Sequence, residues 1–355
     1  YISRYNNIQM ARKISLNSAY GAIGNEWFRY YDLRIAEGIT TSGQFSIRWI
    51  EKSLNIYLNK LLKTEGIDYV IASDTDSVYI NLSKLVYKVY NEGEPLSKDQ
   101  SKTLTPKIVK FLDRVGTEKI EPFIDKCYQD LATYMNAYDQ KMFMKREVIA
   151  DRGIWTAKKR YVLNVHNSEG VQYAEPKLKI MGLEVVKSST PAPVRKMLKD
   201  AISTIVNGTQ DDLIKFVDKT REEFFKLPPE EIAFPRSVNG VEKYKSDLRV
   251  YTKGTPMHVR GALMYNQTVK NKKISKRYPQ IKDGEKIKFV HLKMPNRIGE
   301  NVISFFQTLP KELDLHGSID WDMQFEKSFL SPVKVVLDAI GWNVEKTVNL
   351  ELFFS

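Results

Sequence analysis

The sequence predicts a mixed α+β fold, and three observations lead there. Apolar residues recur at helical spacing through residues 1–34 and again through 36–62. Two short β-rich runs then flank a polar, acidic centre between Asp68 and Leu82. Beyond residue 187 the texture returns to amphipathic helix. At 355 residues and 42% hydrophobic content, the chain is long and apolar enough to bury a substantial core and to divide into two or three lobes.

The first helix carries Ile8, Ala11, Ile14, Leu16, Tyr20 and Ile23 and is expected to end around Gly21 to Gly24. Lys13, Asn17 and Tyr20 stand at i, i+4 and i+7, so they project from one face. The second helix runs from Ala36 to Leu62 through Ile47, Trp49, Ile50 and Leu54, with a polar side at Gln44, and reads as packed scaffold. The segment Asp68-Tyr-Val-Ile-Ala-Ser-Asp-Thr-Asp-Ser-Val-Tyr-Ile-Asn-Leu82 reads as a hairpin with an acidic turn. Residues 91–107, rich in Gly, Pro, Ser and Lys, are expected to be a loop, followed by an aromatic helix to about Asn136. Strands are expected at Gln140 to Ala150 and Arg160 to Val165.

Ser189-Thr190-Pro191 resembles a helix cap with Pro in the first turn. Val194, Met197, Leu198, Ile202 and Ile205 follow as an apolar stripe that ends at Gly208. A further amphipathic helix spans Asp211 to Lys226 and stops at Pro228-Pro229. The change places a domain boundary near residue 185.

The excess of 55 Lys+Arg over 43 Asp+Glu gives a net charge of +12, which makes polyanions the first class of partner to consider. Cys127 is the only cysteine, so neither an internal disulfide nor a cysteine-based zinc site can form; a core-filling role in a reducing compartment is expected. No apolar run of membrane-spanning length, signal peptide or tandem repeat is visible, so the protein is expected to be soluble, intracellular and without a membrane partner. Tyr1 opens directly into a helical pattern, which suggests part of something longer.

Asp74 and Asp76 bracket Thr75, and in an extended segment the two carboxylates would share one face. Held together without a cation they would repel, so the pair favours a hard divalent ion. Two ions about 3.5–4 Å apart can activate an attacking hydroxyl and stabilise a leaving group in phosphoryl transfer. The same four residues also suit a turn in which the acids cap backbone amides. The flanking β-rich runs and the upstream helix, whose Lys13 suits triphosphate oxygens and whose Tyr20 suits a base pair, favour the metal reading.

Lys13-Ile-Ser-Leu-Asn-Ser-Ala-Tyr20-Gly21 resembles the fingers motif Lys-x-x-x-Asn-Ser-x-Tyr-Gly of family B DNA polymerases, and Ser73-Asp-Thr-Asp-Ser77 resembles their palm motif. Trp27 to Arg34, Lys158 to Tyr161, Tyr173 to Glu184, Lys187 to Pro191 and His258 to Gly261 are similar to the replicative polymerases of T-even-type bacteriophages.

The resemblance implies a right-hand polymerase: a fingers helix over 1–25, an antiparallel-sheet palm over 26–185, a mostly helical thumb over 186–347 with a β-rich part at 240–310, and a tail over 348–355. It implies DNA-templated DNA synthesis by two-metal catalysis with magnesium, manganese being a possible substitute, in the cytoplasm of a phage host. Lys13, Asn17, Tyr20 and Gly21 would face the incoming deoxynucleoside triphosphate. Asp76 would bind both metals with Asp74 assisting, and Glu147 matches an acidic position nearby. Lys158, Lys159, Arg160 and Tyr161 would grip the primer of a primer–template DNA, with Lys177, Lys179 and Lys187 extending the track. Leu350, Leu352, Phe353 and Phe354 occupy the place of a sliding-clamp-binding peptide.

Family members usually have Tyr-Gly before Asp-Thr-Asp, where this chain has Ala72-Ser73, and often an acid where Lys145 stands. The first palm motif, with its own metal-binding aspartate, should lie upstream of residue 1, so an upstream segment or second subunit is expected to complete the site. The alternative is a non-catalytic DNA- and clamp-binding remnant, which the intact Lys13, Asn17, Tyr20, Asp74 and Asp76 set argues against. An RNA-making polymerase is disfavoured by Thr75, because such hairpins usually present adjacent aspartates.

Overall fold

The computed structural model describes residues 2–246 and 249–344. They form two compact units. The first holds residues up to Ile149 together with His166–Tyr173, and the second holds Ala150–Val165 and the chain from Ala174 onward. The fold is mixed α+β with small sheets, as the sequence predicts.

In the first unit, α1 (Ile2–Ile23) is followed by α2 (Leu33–Leu62). Asp32 caps α2 by accepting from the Arg34 amide at 2.9 Å, and Lys63 closes it in the left-handed region. Ser46, Ile50, Leu54, Leu58 and Leu62 are buried on α2, a four-residue repeat that turns one face inward. That face meets α5 (Glu121–Tyr134) through Ile124, Cys127, Tyr128 and Leu131. The core-filling role expected of Cys127 holds. By contrast α1, whose apolar spacing is as regular, buries none of its side chains.

The hairpin of β1 (Val70–Asp74) and β2 (Ser77–Ile80) is antiparallel and leans on the same core through Val70 and Val78. Asn55 of α2 fixes its base: its Oδ1 accepts from the Tyr69 and Val70 amides at 2.8 and 3.2 Å, and its Nδ2 donates to Asp68 at 2.7 Å. An isolated two-stranded hairpin is marginal in water, so this anchorage matters to whatever the turn carries.

After α3 (Ser83–Tyr90), α4 (Lys98–Val115) replaces much of the loop expected over 91–107. A capping box at Ser97 and Gln100 starts α4, and it carries Pro106 inside. The local signal Ser-x-x-Gln was present, but the surrounding Pro, Gly and Ser content masked it. Residues 140–147 are not strand either; pairing starts at Val148, since the Glu121 carboxylate takes the Arg146 amide at 2.8 Å instead of a neighbouring strand.

The strands β3 (Val148–Ala157), β4 (Arg160–Ser168) and β5 (Val171–Met181) form a sheet in that order. In the second unit, one core is built on α6 (Ala192–Asn207) and α7 (Gln210–Phe224). Pro191, not Ser189 or Thr190, is the residue before α6, and the Thr190 hydroxyl donates to the Glu184 carbonyl at 2.8 Å instead of capping the helix. After α8 (Pro229–Ile232), another core is built on β6 (Phe234–Ser237), α9 (Val241–Tyr244), α10 (Met257–Asn271), β7 (Lys286–His291) and β8 (Val302–Phe305). The helices α11 (Trp321–Phe325) and α12 (Ser331–Asp338) pack back on the first of these cores. Among the described residues no helix is long and apolar enough to cross a membrane.

Candidate active site

Asp74 ends β1 and pairs with Ser77, leaving Thr75 and Asp76 as a two-residue turn. The two aspartates therefore do not alternate along one strand, as the extended reading required. Thr75 lies at φ 54°, a left-handed conformation unusual for a β-branched residue. The Asp76 amide donates back to the Asp74 carbonyl at 2.6 Å, and the Ser77 hydroxyl donates to the same carbonyl at 3.2 Å. Both carboxylates are brought to the tip of the hairpin by the turn, at the cost of backbone strain at Thr75. The Thr75 hydroxyl also donates to Asp74 Oδ1 at 3.0 Å.

Behind the turn lies a residue the motif does not name. Tyr128 is 3% exposed on α5, and burial first, then the charge of Asp76, pushes its hydroxyl pKa up. The aspartate is thus close enough for its charge to be felt in the core. A sequence signal for Tyr128 exists only in its helical register with Ile124 and Leu131.

Hard oxygen donors converging at one tip fit a divalent cation. Among the described residues no three acidic, histidine or cysteine side chains gather as a metal cluster, so Glu147 does not join Asp74 and Asp76 as a third ligand in this arrangement. Glu147 is exposed, and its carbonyl accepts from the Glu169 amide at 2.7 Å. Its neighbour Arg146 is pinned. The guanidinium meets the Asp113 carboxylate and donates to Asn167 Oδ1 at 2.8 Å.

On α1, Lys13 and Asn17 line a shallow groove with Tyr5, Ile8, Gln9, Arg12 and Leu16, of about 560 Å³. Tyr20 is 44% exposed, outside the lining of that groove, and Gly21 has open space around its Cα. The one-faced grouping of Lys13 and Asn17 is present.

In the second unit, Lys158 and Lys159 connect β3 to β4, with Lys159 at φ 61°. Arg160 Nη2 donates to both oxygens of Glu184 at 3.0 and 2.8 Å, and Lys187 Nζ donates to Glu184 Oε1 at 2.9 Å. Two cations expected in a phosphate track are therefore held on one carboxylate. Tyr161 is 6% exposed and its ring lies 6.2 Å from that of Trp155, so it is core and does not face outward with its neighbours. Strand alternation accounts for this, since Arg160 and Tyr161 point to opposite faces. Lys158, Lys159 and Lys177 are exposed and Lys179 is half-buried. Leu350, Leu352, Phe353 and Phe354 lie outside the described residues.

Residues 2–111, which contain both the α1 face and the aspartate hairpin, match the family profile described as "DNA polymerase family B". The DNA-directed DNA polymerase of Escherichia phage RB69 is 40% identical across 96% of the chain. That of Enterobacteria phage T4 is 37% identical across 99% of it. The chain belongs to DNA polymerase family B. A more distant family B relative, the DNA polymerase of Thermococcus gorgonarius, is 24% identical across 95% of the chain. The chain spans 38% of the RB69 polymerase, 39% of the T4 polymerase and 35% of the archaeal one. The family B resemblance expected from the two motifs is thereby confirmed over nearly the whole chain, at a share of each relative well below half.

Proposed function

We propose that this chain is the carboxy-terminal catalytic portion of a DNA-templated DNA polymerase that extends a primer 3′ end with deoxynucleotides. The observation that carries it is the hairpin tip bearing Asp74 and Asp76, set in a chain 37–40% identical to enzymes named DNA-directed DNA polymerase. Residues 1–25 act as the fingers helix, 26–185 as palm, 186–347 as thumb and 348–355 as a clamp-binding tail.

Asp74 and Asp76 would hold magnesium, which when bound lowers the pKa of the primer hydroxyl and offsets charge on the phosphates. The chain's own residues supply position. Lys13 neutralises triphosphate oxygens, Asn17 hydrogen-bonds beside it, and Tyr20 lies against the nascent pair. Lys158 and Lys159 contact primer phosphates, with Lys177 and Lys179 continuing along the strand. Arg160 and Lys187, both tied to Glu184, act by shaping that surface.

Two carboxylates are fewer than a two-metal centre needs, so the remaining ligand comes from polymerase sequence outside this chain. The test is extension of a labelled primer with magnesium, by the chain alone and by the chain with the polypeptide that carries the rest of the polymerase. Extension only in the mixture, lost with Asp76→Ala, supports the proposal. A mixture that associates and binds DNA but does not extend it would show the chain to be a DNA-binding remnant.

A further inference from the structure

Exposed large apolar side chains are very unevenly shared between the two units. Among the described residues, all but Met181, Val186, Phe225, Met294, Met323 and Val335 belong to the first unit. Soluble proteins rarely leave such surface open unless something covers it.

The most organised part of that surface is aromatic. Phe45 and Trp49 of α2 and Tyr134 at the end of α5 form a mutual cluster, with ring centroids 6.1, 6.5 and 5.6 Å apart. Tyr134 stacks on both partners, at interplanar angles of 28° and 29°. Trp49 is locked in place by donating from Nε1 to the Cys127 carbonyl at 3.1 Å. Yet Tyr134 is 70% exposed and Phe45 38%. Met135, at 51%, and Met142, at 42%, extend the apolar area, and the Ser46 hydroxyl meets Met142 Sδ at 3.5 Å. A rigid, half-exposed aromatic cluster with adaptable methionines beside it has the make-up of an interface centre.

We infer that the Phe45–Trp49–Tyr134 face is where the rest of the polymerase polypeptide docks on this chain. This rests on the proposed reading of the chain as the catalytic portion of a larger enzyme. The occupant follows from two facts. More than half of each phage relative lies outside the stretch this chain matches, so a large body of polypeptide must find a seat somewhere. The unit that leaves its apolar surface open is also the unit whose aspartate pair lacks a third acid among the described residues. A second copy of the chain would cover aromatic surface, but it would bring the same two-aspartate hairpin and no new ligand type. The remaining polymerase sequence answers both needs at once.

Tyr134→Asp and Phe45→Asp place a charge on the exposed side of the cluster and leave Trp49 and its hydrogen bond untouched. Each variant is checked by its thermal midpoint alone, then titrated with the polypeptide carrying the rest of the polymerase by calorimetry and by light scattering after gel filtration. The expected result is a one-to-one complex with the unsubstituted chain and at least ten-fold weaker binding for each variant at an unchanged midpoint. Unchanged affinity in both variants, or absence of a complex with the unsubstituted chain, would overturn the inference. A homodimer of the chain dispersed by Tyr134→Asp would overturn it in favour of a second copy. Primer extension on the same samples separates the two claims. Weakened binding by the variants with no extension by the intact mixture keeps the docking face and sinks catalysis; extension with variant-insensitive binding does the reverse.

Discussion

Arg160 and Glu184 form a two-oxygen ion pair: one guanidinium nitrogen donates to both carboxylate oxygens, at 3.0 and 2.8 Å, across 24 residues of chain. Lys187 adds a third bond to the same carboxylate, and the Glu184 carbonyl takes the Thr190 hydroxyl. One glutamate thus joins the start of β4 to the approach to α6.

Burial raises the Glu184 carboxyl, but the hydrogen bond from Lys187 and the charge of Arg160 outweigh it and hold the group below the ordinary glutamate range. A depressed folded pKa means the unfolded chain takes up the proton first. The pair's stabilisation is therefore complete above the ordinary glutamate value and is lost as pH falls below it, through the lower folded value. Glu184→Gln is expected to cost about 1–2 kcal/mol at pH 7, after allowing for partial solvent screening, and to flatten the loss of stability under acid. Urea midpoints at pH 7 and across the acid range check both.

Asn55→Ala removes the three hydrogen bonds that tie the hairpin base to α2. The Tyr69 amide lies in buried surroundings, so the expected cost is about 1–3 kcal/mol. Hydrogen exchange should accelerate at Tyr69 and Val70 more than at the centre of α5. Equal acceleration everywhere would contradict a local anchoring role.

His258 sits at the start of α10, where burial first, and the nearby charge of Arg236 second, lower its pKa. The folded protein resists a proton that the unfolded chain accepts near the ordinary value of about 6.5. Stability from this group is present above that value and declines as pH falls through it. A denaturation series from about pH 7.5 to 5.5 should slope downward, and His258→Gln should reduce the slope.

Gly261 lets α10 lie directly on β8. A Cβ built there would come within 2.5 Å of Ser304 Oγ and 2.8 Å of its backbone nitrogen. Gly261→Ala must push the helix off the strand and is expected to destabilise by about 1–3 kcal/mol, read as a lower urea midpoint. An unchanged midpoint would mean the contact yields without cost.

Much of the first unit was legible because its signals are local. The helical spacing of α1 and α2 and the two β-rich runs around Asp74 and Asp76 each occupy a few consecutive turns or residues. The helix α4 was missed although its capping box is in the sequence, since residue content there argued for a loop. The geometry at Asp74 and Asp76 was misjudged because strand alternation assumes extended backbone, whereas Thr75 leaves it.

The sequence by itself determined the family, the α+β class and the chemical identity of the face on α1 and of the hairpin tip, because motif residues and periodicities are properties of neighbouring positions. Only the tertiary structure decided that Glu184 holds Arg160 and Lys187, that Tyr161 turns inward, that Tyr128 stands within reach of the Asp76 charge, and that the apolar side of α1 is left open. Periodicity tells which side of a helix is apolar. Whether another segment covers that side, or which distant carboxylate meets a given guanidinium, depends on contacts between residues far apart in the chain, and these are fixed only when the elements pack.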